Sequence, residues 1–85
     1  MIDEIEARSA EQLAQDYSAM GDSVALINAI IAGDSMADES AEDRQDCVDR
    51  NTQHLELMVA KKDWGDEDMT AVNTAISAGN GYTAS

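Results

Sequence analysis

Phenylalanine and proline are absent from this 85-residue sequence, and cysteine, histidine and tryptophan occur once each. Each scarcity excludes something. A lone cysteine, Cys47, rules out an internal disulfide framework. One cysteine and one histidine do not make a zinc site. With only Trp64, Tyr17 and Tyr82 aromatic, the apolar content rests on Ala, Met, Ile, Leu and Val. No apolar run approaches the roughly 18 residues needed to span a bilayer. Met1 is followed by acidic residues, with neither a basic stretch nor an apolar one, so no signal peptide is expected. Basic residues are also scarce: 5 Lys and Arg stand against 18 Asp and Glu, a formal net charge of −13. Such a charge favours solubility and opposes nucleic acid and anionic membranes by repulsion. It suits a basic protein partner, bound cations, mimicry of a nucleic-acid backbone or a salt-tolerant surface.

What is present favours helix. The chain is rich in Ala, free of Pro and poor in β-branched runs. No period-two run and no hairpin dipeptide between apolar runs marks a strand. At this length one domain is expected, burying only about 60–65% of the surface its unfolded chain exposes. The core is therefore thin, which suggests packing against a partner or another copy. The fold class expected is all-α: a small bundle of three or four helices ending in a helix-turn-helix hairpin. Its parts would be a helical region over residues 2–32, an acidic connection over 34–40, the hairpin over 40–79 and a short tail over 80–85.

In the first region Ser9 and Gln12 fit a capping box, so the ordered helix starts there, with Ile2 and Ile5 in an earlier turn or arm. Leu13, Tyr17, Met20, Val24, Ile27 and Ile31 follow at helical spacing. Gly21 costs about 1 kcal/mol in a helix interior, and Asp22 or Ser23 would cap a new helix. The unbroken phase favours one continuous helix over a break. Residues 24–31 are the most apolar stretch, and Val24, Leu26, Ile27, Ile30 and Ile31 cover more than one face. They are expected at the centre of the domain or of an oligomer interface. Gly33 then ends the helix as a left-handed cap.

The second region opens on acids: Asp34, Asp38, Glu39, Glu42, Asp43, Asp46 and Asp49 stand against a single Arg44. Acids suit a helix N-terminus, and a helix is expected from Ser40 to about Lys62. Ala41, Val48, Leu55, Met58 and Val59 mark its apolar side, interrupted by Arg44, Asn51 and Thr52. Asp46 and Arg50 form an i,i+4 pair worth a few tenths of a kcal/mol. Lys61 and Lys62 complement the helix C-terminus. Asp63, Trp64 and Gly65 make the turn, with Gly65 allowing positive φ. Asp66, Glu67 and Asp68 open a short helix over 66–78, whose stripe is Met69, Val72 and Ile76. Gly79, Asn80 and Gly81 stop it. If Gly65 is the cap, Trp64 packs on Met69 as a hydrophobic staple. Trp64, Met69, Leu55 and Met58 are thus expected to form a structural clasp.

Catalytic and metal chemistry find no support. The acids from Asp63 onward miss the calcium loop, since Asp68 stands where Gly is needed and Thr74 where a bidentate Glu is needed. His54, Leu55 and Glu56 match half of the zinc deaminase motif, but its Pro-Cys-x-x-Cys partner is missing. Cys47 and His54 share a helix face yet lie about 10 Å apart by helical rise. There is no G-x-S-x-G elbow and no Gly-rich phosphate loop. No catalytic, cofactor-binding or metal residue is assigned, and an enzyme is not expected. His54 is expected to be a partly buried polar residue bonding to the Trp64 turn or to solvent.

Between residues 48 and 79 the order Arg50-Asn51, His54-Leu55-Glu56, Met58, Lys61 or Lys62, Trp64, Glu67-Asp68, Asn73, Ala75-Ile76 and Gly79 resembles small uncharacterised proteins encoded by tailed bacteriophages, especially marine ones. The resemblance implies a phage setting and carries no catalytic residue. In that setting the expected function is non-enzymatic protein–protein contact, as a virion structural or assembly component of the head, connector or tail. It would be oligomeric or present in many copies, and located in the virion or the host cytoplasm. The alternative is an acidic inhibitor or nucleic-acid mimic that binds a basic groove on a host protein. The candidate interaction residues are Val24, Ile27, Ile30 and Ile31 on the apolar stripe and Glu39, Glu42, Asp43, Asp46 and Asp49 on the acidic face. No direct contact with nucleic acid or membrane is expected.

Overall fold

A computed structural model of the chain describes residues 9–61, 64, 65 and 67–85, without the side chain of Lys61. Expectations for Ile2, Ile5, Lys62, Asp63 and Asp66 fall outside the described residues. Within them the chain is all-helical, with α1 at Ala10–Ala32, α2 at Ala41–Lys61 and α3 at Thr70–Gly81, and no strand.

The start of α1 is fixed by local hydrogen bonds. The Gln12 backbone N–H donates to Ser9 Oγ at 3.1 Å, and the Ser9 N–H donates to Gln12 Oε1 at 3.3 Å. Two of the unpaired donors at the helix N-terminus are thereby satisfied. The helix runs through Gly21, which is exposed with open space around it. The penalty of about 1 kcal/mol for that glycine is small beside burial of Met20 and Ile27 on either side, each about 1.5–3 kcal/mol. Gly33 ends α1 at φ +86°. Its N–H donates to the Ile30 carbonyl at 3.1 Å, and that of Asp34 to the Ala29 carbonyl at 2.8 Å, the pairing of a Schellman cap.

Two glycines of α1 therefore predict opposite outcomes. Gly21→Ala should stabilise by about 0.5–1 kcal/mol, since it fills open space in a helix interior. Gly33→Ala should cost about 1 kcal/mol, because alanine would be held in the left-handed region. Thermal melting of both variants checks the sign, at about 4–8 °C per kcal/mol. Equal shifts would show that the cap geometry is not what sets the end of α1.

The connection from α1 to α2 holds one feature the sequence did not suggest. Met36 sits at φ +56°, a conformation that costs an L-residue roughly 1–2 kcal/mol. Its partly buried side chain packs on the core, which offsets that strain. The Met36 carbonyl also accepts the Glu39 N–H at 3.0 Å. Ser40 then starts α2: its Oγ accepts the Asp43 N–H at 3.1 Å and its carbonyl accepts the Arg44 N–H at 3.0 Å.

α3 departs from expectation at both ends. Glu67 and Asp68 lie ahead of it, and Met69 occupies its N-cap without a side-chain cap. The expected helix over 66–78 is corrected to Thr70–Gly81. With Met69 as the cap and Gly65 in a turn at φ +56°, the expected staple geometry is not formed. Instead Asp68 Oδ1 accepts the Thr70 N–H at 2.9 Å, satisfying a donor of the first turn. Gly79 does not stop the helix. It is buried within α3, and the tail begins at Tyr82.

The three helices pack on one another pairwise. Met20, Ile27 and Ile30 of α1, Val48 and Leu55 of α2, Val72 and Ala75 of α3, and Trp64 from the α2–α3 connection form the buried core. Thr52, which the sequence placed as an interruption of the apolar side of α2, is inside too, at 2% exposure. Its hydroxyl donates to the Val48 carbonyl at 2.7 Å, one turn back. A buried polar group is tolerable once bonded in this way. The core-facing side of Thr52 meets Gly79: a Cβ added to that glycine would lie 1.9 Å from Thr52 Oγ1. Gly79 therefore allows α2 and α3 to approach closely.

Candidate functional site

Helix α2 has two unlike sides in its first half. Val48 and Thr52 face the core, with Ala41, Arg44, Gln45, Cys47 and Asn51 partly covered beside them. Glu42, Asp43, Asp46 and Asp49 are exposed, and so is Glu39 in the lead-in. The candidate acidic residues thus all lie on the surface, where like charges about 6 Å apart repel by about 0.7 kcal/mol per pair in water.

The cations nearby do little to cancel them. Arg50 Nε lies 3.0 Å from Asp46 Oδ2, but the side chains are 79% and 58% exposed. Such a pair is worth a few tenths of a kcal/mol. Arg44 is engaged elsewhere: its Nη2 donates to the Ser85 carbonyl oxygen at 2.8 Å. Its Nε is buried and makes no hydrogen bond among the described residues. The acidic side of α2 therefore keeps most of its charge, and is suited to a basic surface through electrostatic attraction that weakens with salt.

The apolar candidates behave differently. Ile27 and Ile30 are 0% and 2% exposed within the chain's own core, the first of the two places expected for the apolar stretch. Val24 is half-buried against the same core. Only Ile31, at 39% exposure, reaches the surface as a large apolar residue of this stripe. Ile30 and Ile31 are about 100° apart around a helix. Which of them is covered depends on where the neighbouring helices lie, and periodicity along one helix does not carry that information.

Of the expected clasp residues, Trp64 is bonded directly to Met58. The indole is 7% exposed, and its Nε1–H donates to the Met58 carbonyl at 3.0 Å. That carbonyl belongs to the last four of α2, which lack partners within the helix core, so Trp64 caps α2 through its side chain. Its ring stands 6.2 Å from that of Tyr17, tilted by 56°, within the range of favourable aromatic pairs. The Tyr17 hydroxyl donates to the Asp68 carbonyl, tying α1 to the approach of α3. Leu55 is fully buried, while Met58 and Met69 are partly buried against the core. His54 is exposed, which corrects the expectation of a partly buried polar residue. It lies on the outer surface of α2, at 100° per residue from buried Leu55.

The Asp68 carboxyl is held below its ordinary pKa of 3.8, chiefly by the hydrogen bond from the Thr70 backbone N–H and then by the Thr70 hydroxyl. A lowered folded-state pKa contributes to stability above the unfolded value and loses that contribution as pH falls through the folded one. This junction is therefore most secure above about pH 4.

The residues that sequence reasoning missed lie where the tail returns. Gln45 Nε2 donates to the Tyr82 carbonyl at 3.0 Å, and Gln45 Oε1 accepts the Ala84 N–H at 2.8 Å. Nε2 also lies 3.0 Å from Asp49 Oδ1. Tyr82 is extended, at φ −77° and ψ 132°, and packs against the core. The sequence offered one hint, an aromatic in an otherwise small polar tail, with no sign of its partner.

Among the described residues no group of three or more His, Cys, Asp or Glu could hold a metal ion. None of the helices is long and apolar enough to cross a membrane. The class defined by fold and surface is a small all-α protein with an exposed acidic helix face. Comparison with protein-family models, curated proteins and solved structures finds no match.

Proposed function

We propose that this chain is a non-enzymatic protein–protein interaction module, with the acidic face of α2 as its working surface and α2 and α3 acting as a terminal helical hairpin that presents it. The observation that carries this reading is the exposure of Glu39, Glu42, Asp43, Asp46 and Asp49 together, with Arg44 bonded to the tail and Arg50 in an exposed pair. In the tailed-phage setting implied by the resemblance of residues 48–79, its role is that of a virion structural or assembly component that contacts basic protein surfaces.

The row of carboxylates also favours a second reading, an acidic inhibitor that fills a basic groove on a host protein. Both readings make the same prediction for the surface. Replacing the acids by their amides (Glu39→Gln, Glu42→Gln, Asp43→Asn, Asp46→Asn, Asp49→Asn) should abolish capture of the partner in a chain that stays folded, since the relief of self-repulsion offsets the lost first-turn charge of Glu42 and Asp43 and the lost Asp46–Arg50 pair. Capture by the native chain should weaken steeply between low and physiological salt. Full retention of binding by the neutralised chain would exclude the acidic face. Mass spectrometry of purified virions separates the two settings: copies in the particle support assembly, and absence from it with capture of a host protein supports the inhibitor.

A further inference from the structure

The Gln45 side chain treats the tail as a strand would treat its neighbour. In an extended chain the carbonyl of one residue and the N–H two residues on point to the same side. Gln45 bonds both, the Tyr82 carbonyl and the Ala84 N–H, while Thr83 between them is exposed. Arg44 Nη2 adds the Ser85 carbonyl. Every one of these bonds reads main chain, so none depends on the tail's own side chains. Of the tail's side chains, Tyr82 packs against the core, and Ala84 is partly covered.

We propose that residues 82–85 are a displaceable strap over an extended-peptide site on α2, and that the segment which displaces it is a basic stretch of a partner protein. The preference for basic character comes from the surroundings of the clamp. Asp49 contacts the clamping amide itself, and Glu42 and Asp46 are exposed on the same helix within one turn of Gln45. The strap, Tyr82-Thr83-Ala84-Ser85, carries no basic side chain to meet them. A basic extended segment keeps the main-chain bonds and adds charge pairing, whereas a second copy of this chain brings its own acids to the same place. Arg44 marks the end of the site at which a carbonyl, and not a cation, is received. Strap opening breaks the Tyr82 N–H to Gly79 carbonyl contact at 3.3 Å and lifts the Tyr82 ring from the core, while the bonds within the helices remain. This inference rests on α2 being the interaction face.

The test is a titration of the isotope-labelled 85-residue chain, followed by NMR, with the peptide acetyl-Lys-Tyr-Lys-Ala-Lys-amide and with its uncharged counterpart acetyl-Gly-Tyr-Thr-Ala-Ser-amide. The basic peptide should shift the Gln45 side-chain amide, expose the Ala84 N–H to fast exchange and lose affinity as salt rises. Gln45→Ala in the native chain removes the same two bonds from strap and peptide and should leave binding nearly unchanged, whereas added to Tyr82→Ala it should weaken binding about tenfold, the loss of two hydrogen bonds. Tyr82→Ala should strengthen it, because the competing strap is loosened. Stronger binding by Tyr82→Ala that is reversed by adding Gln45→Ala is not produced by general unfolding. Binding of the basic peptide unchanged by adding Gln45→Ala to Tyr82→Ala, or binding that leaves Ala84 protected in the native chain, would reduce the effect to diffuse charge attraction and overturn the proposal. Equal binding of both peptides would overturn the basic preference. Because the probes are peptides, failure here leaves the partner-capture test of the acidic face standing, and the reverse also holds.

Discussion

Trp64→Ala should bring this protein close to unfolding at ambient temperature. Truncating a buried Trp costs about 3–5 kcal/mol. A chain of this length has on the order of 4–13 kcal/mol in total. Three contributions are lost together: the volume of a 7% exposed indole, the tilted pairing with Tyr17, and the bond to the Met58 carbonyl. The last matters beyond its own strength, because it leaves a carbonyl of the final turn of α2 without its side-chain partner. Trp64→Phe separates the terms, retaining the ring while removing the donor, and should fall between the native chain and alanine. His54→Ala, at an exposed position of α2, should stay within about 0.5 kcal/mol of the native chain. Denaturant titrations of the three variants give the comparison. A Trp64→Ala chain as stable as the native one would move the organising centre to Met20, Ile27 and Ile30 of α1.

Gly79→Ala should destabilise by about 2 kcal/mol, although alanine is the better helix former. The gain in helix propensity is at most about 1 kcal/mol. Against it stands a contact of 1.9 Å between the new Cβ and Thr52 Oγ1, with Thr52 Cβ and Cγ2 at 3.1 and 3.2 Å. Thr52 is β-branched, buried and bonded to the Val48 carbonyl, so it cannot swing aside without breaking that bond. The helices must separate instead, and overpacking of this kind costs about 1–3 kcal/mol or more. Thr52→Ala removes Oγ1 and Cγ2, and in combination with Gly79→Ala should recover at least about 1 kcal/mol relative to additivity. An additive double mutant would mean that the two residues do not set the α2–α3 spacing.

The same pair shows where reading of the chain stops. A glycine near the end of a helical pattern reads as a terminator, because a cap glycine has a local signature. Gly33 fits that rule, and its φ of +86° follows from it. Gly79 breaks the rule because its reason lies in Thr52, 27 positions back in the chain and adjacent only after folding. The start of α3 was misplaced for a related reason. The acids ahead of it suit a first turn, but the tie between the Tyr17 hydroxyl and the Asp68 carbonyl comes from α1.

By itself the sequence determined what depends on near neighbours. Helical class, the capping box at Ser9, the Gly33 cap, the passage through Gly21 and the Asp46–Arg50 pair all arise from residues within about one turn of each other, where bonding geometry is fixed by spacing. The exposed acids of α2 were legible for the same reason. Only the tertiary structure decided that Ile30 is covered and Ile31 is not, that Trp64 caps α2 at Met58, that Gly79 receives Thr52, and that Gln45 and Arg44 hold the tail. Those outcomes depend on how helix faces meet and on which unpaired backbone group lies within reach. Side-chain periodicity along one helix specifies a face, and the partner of that face is chosen only when the helices pack.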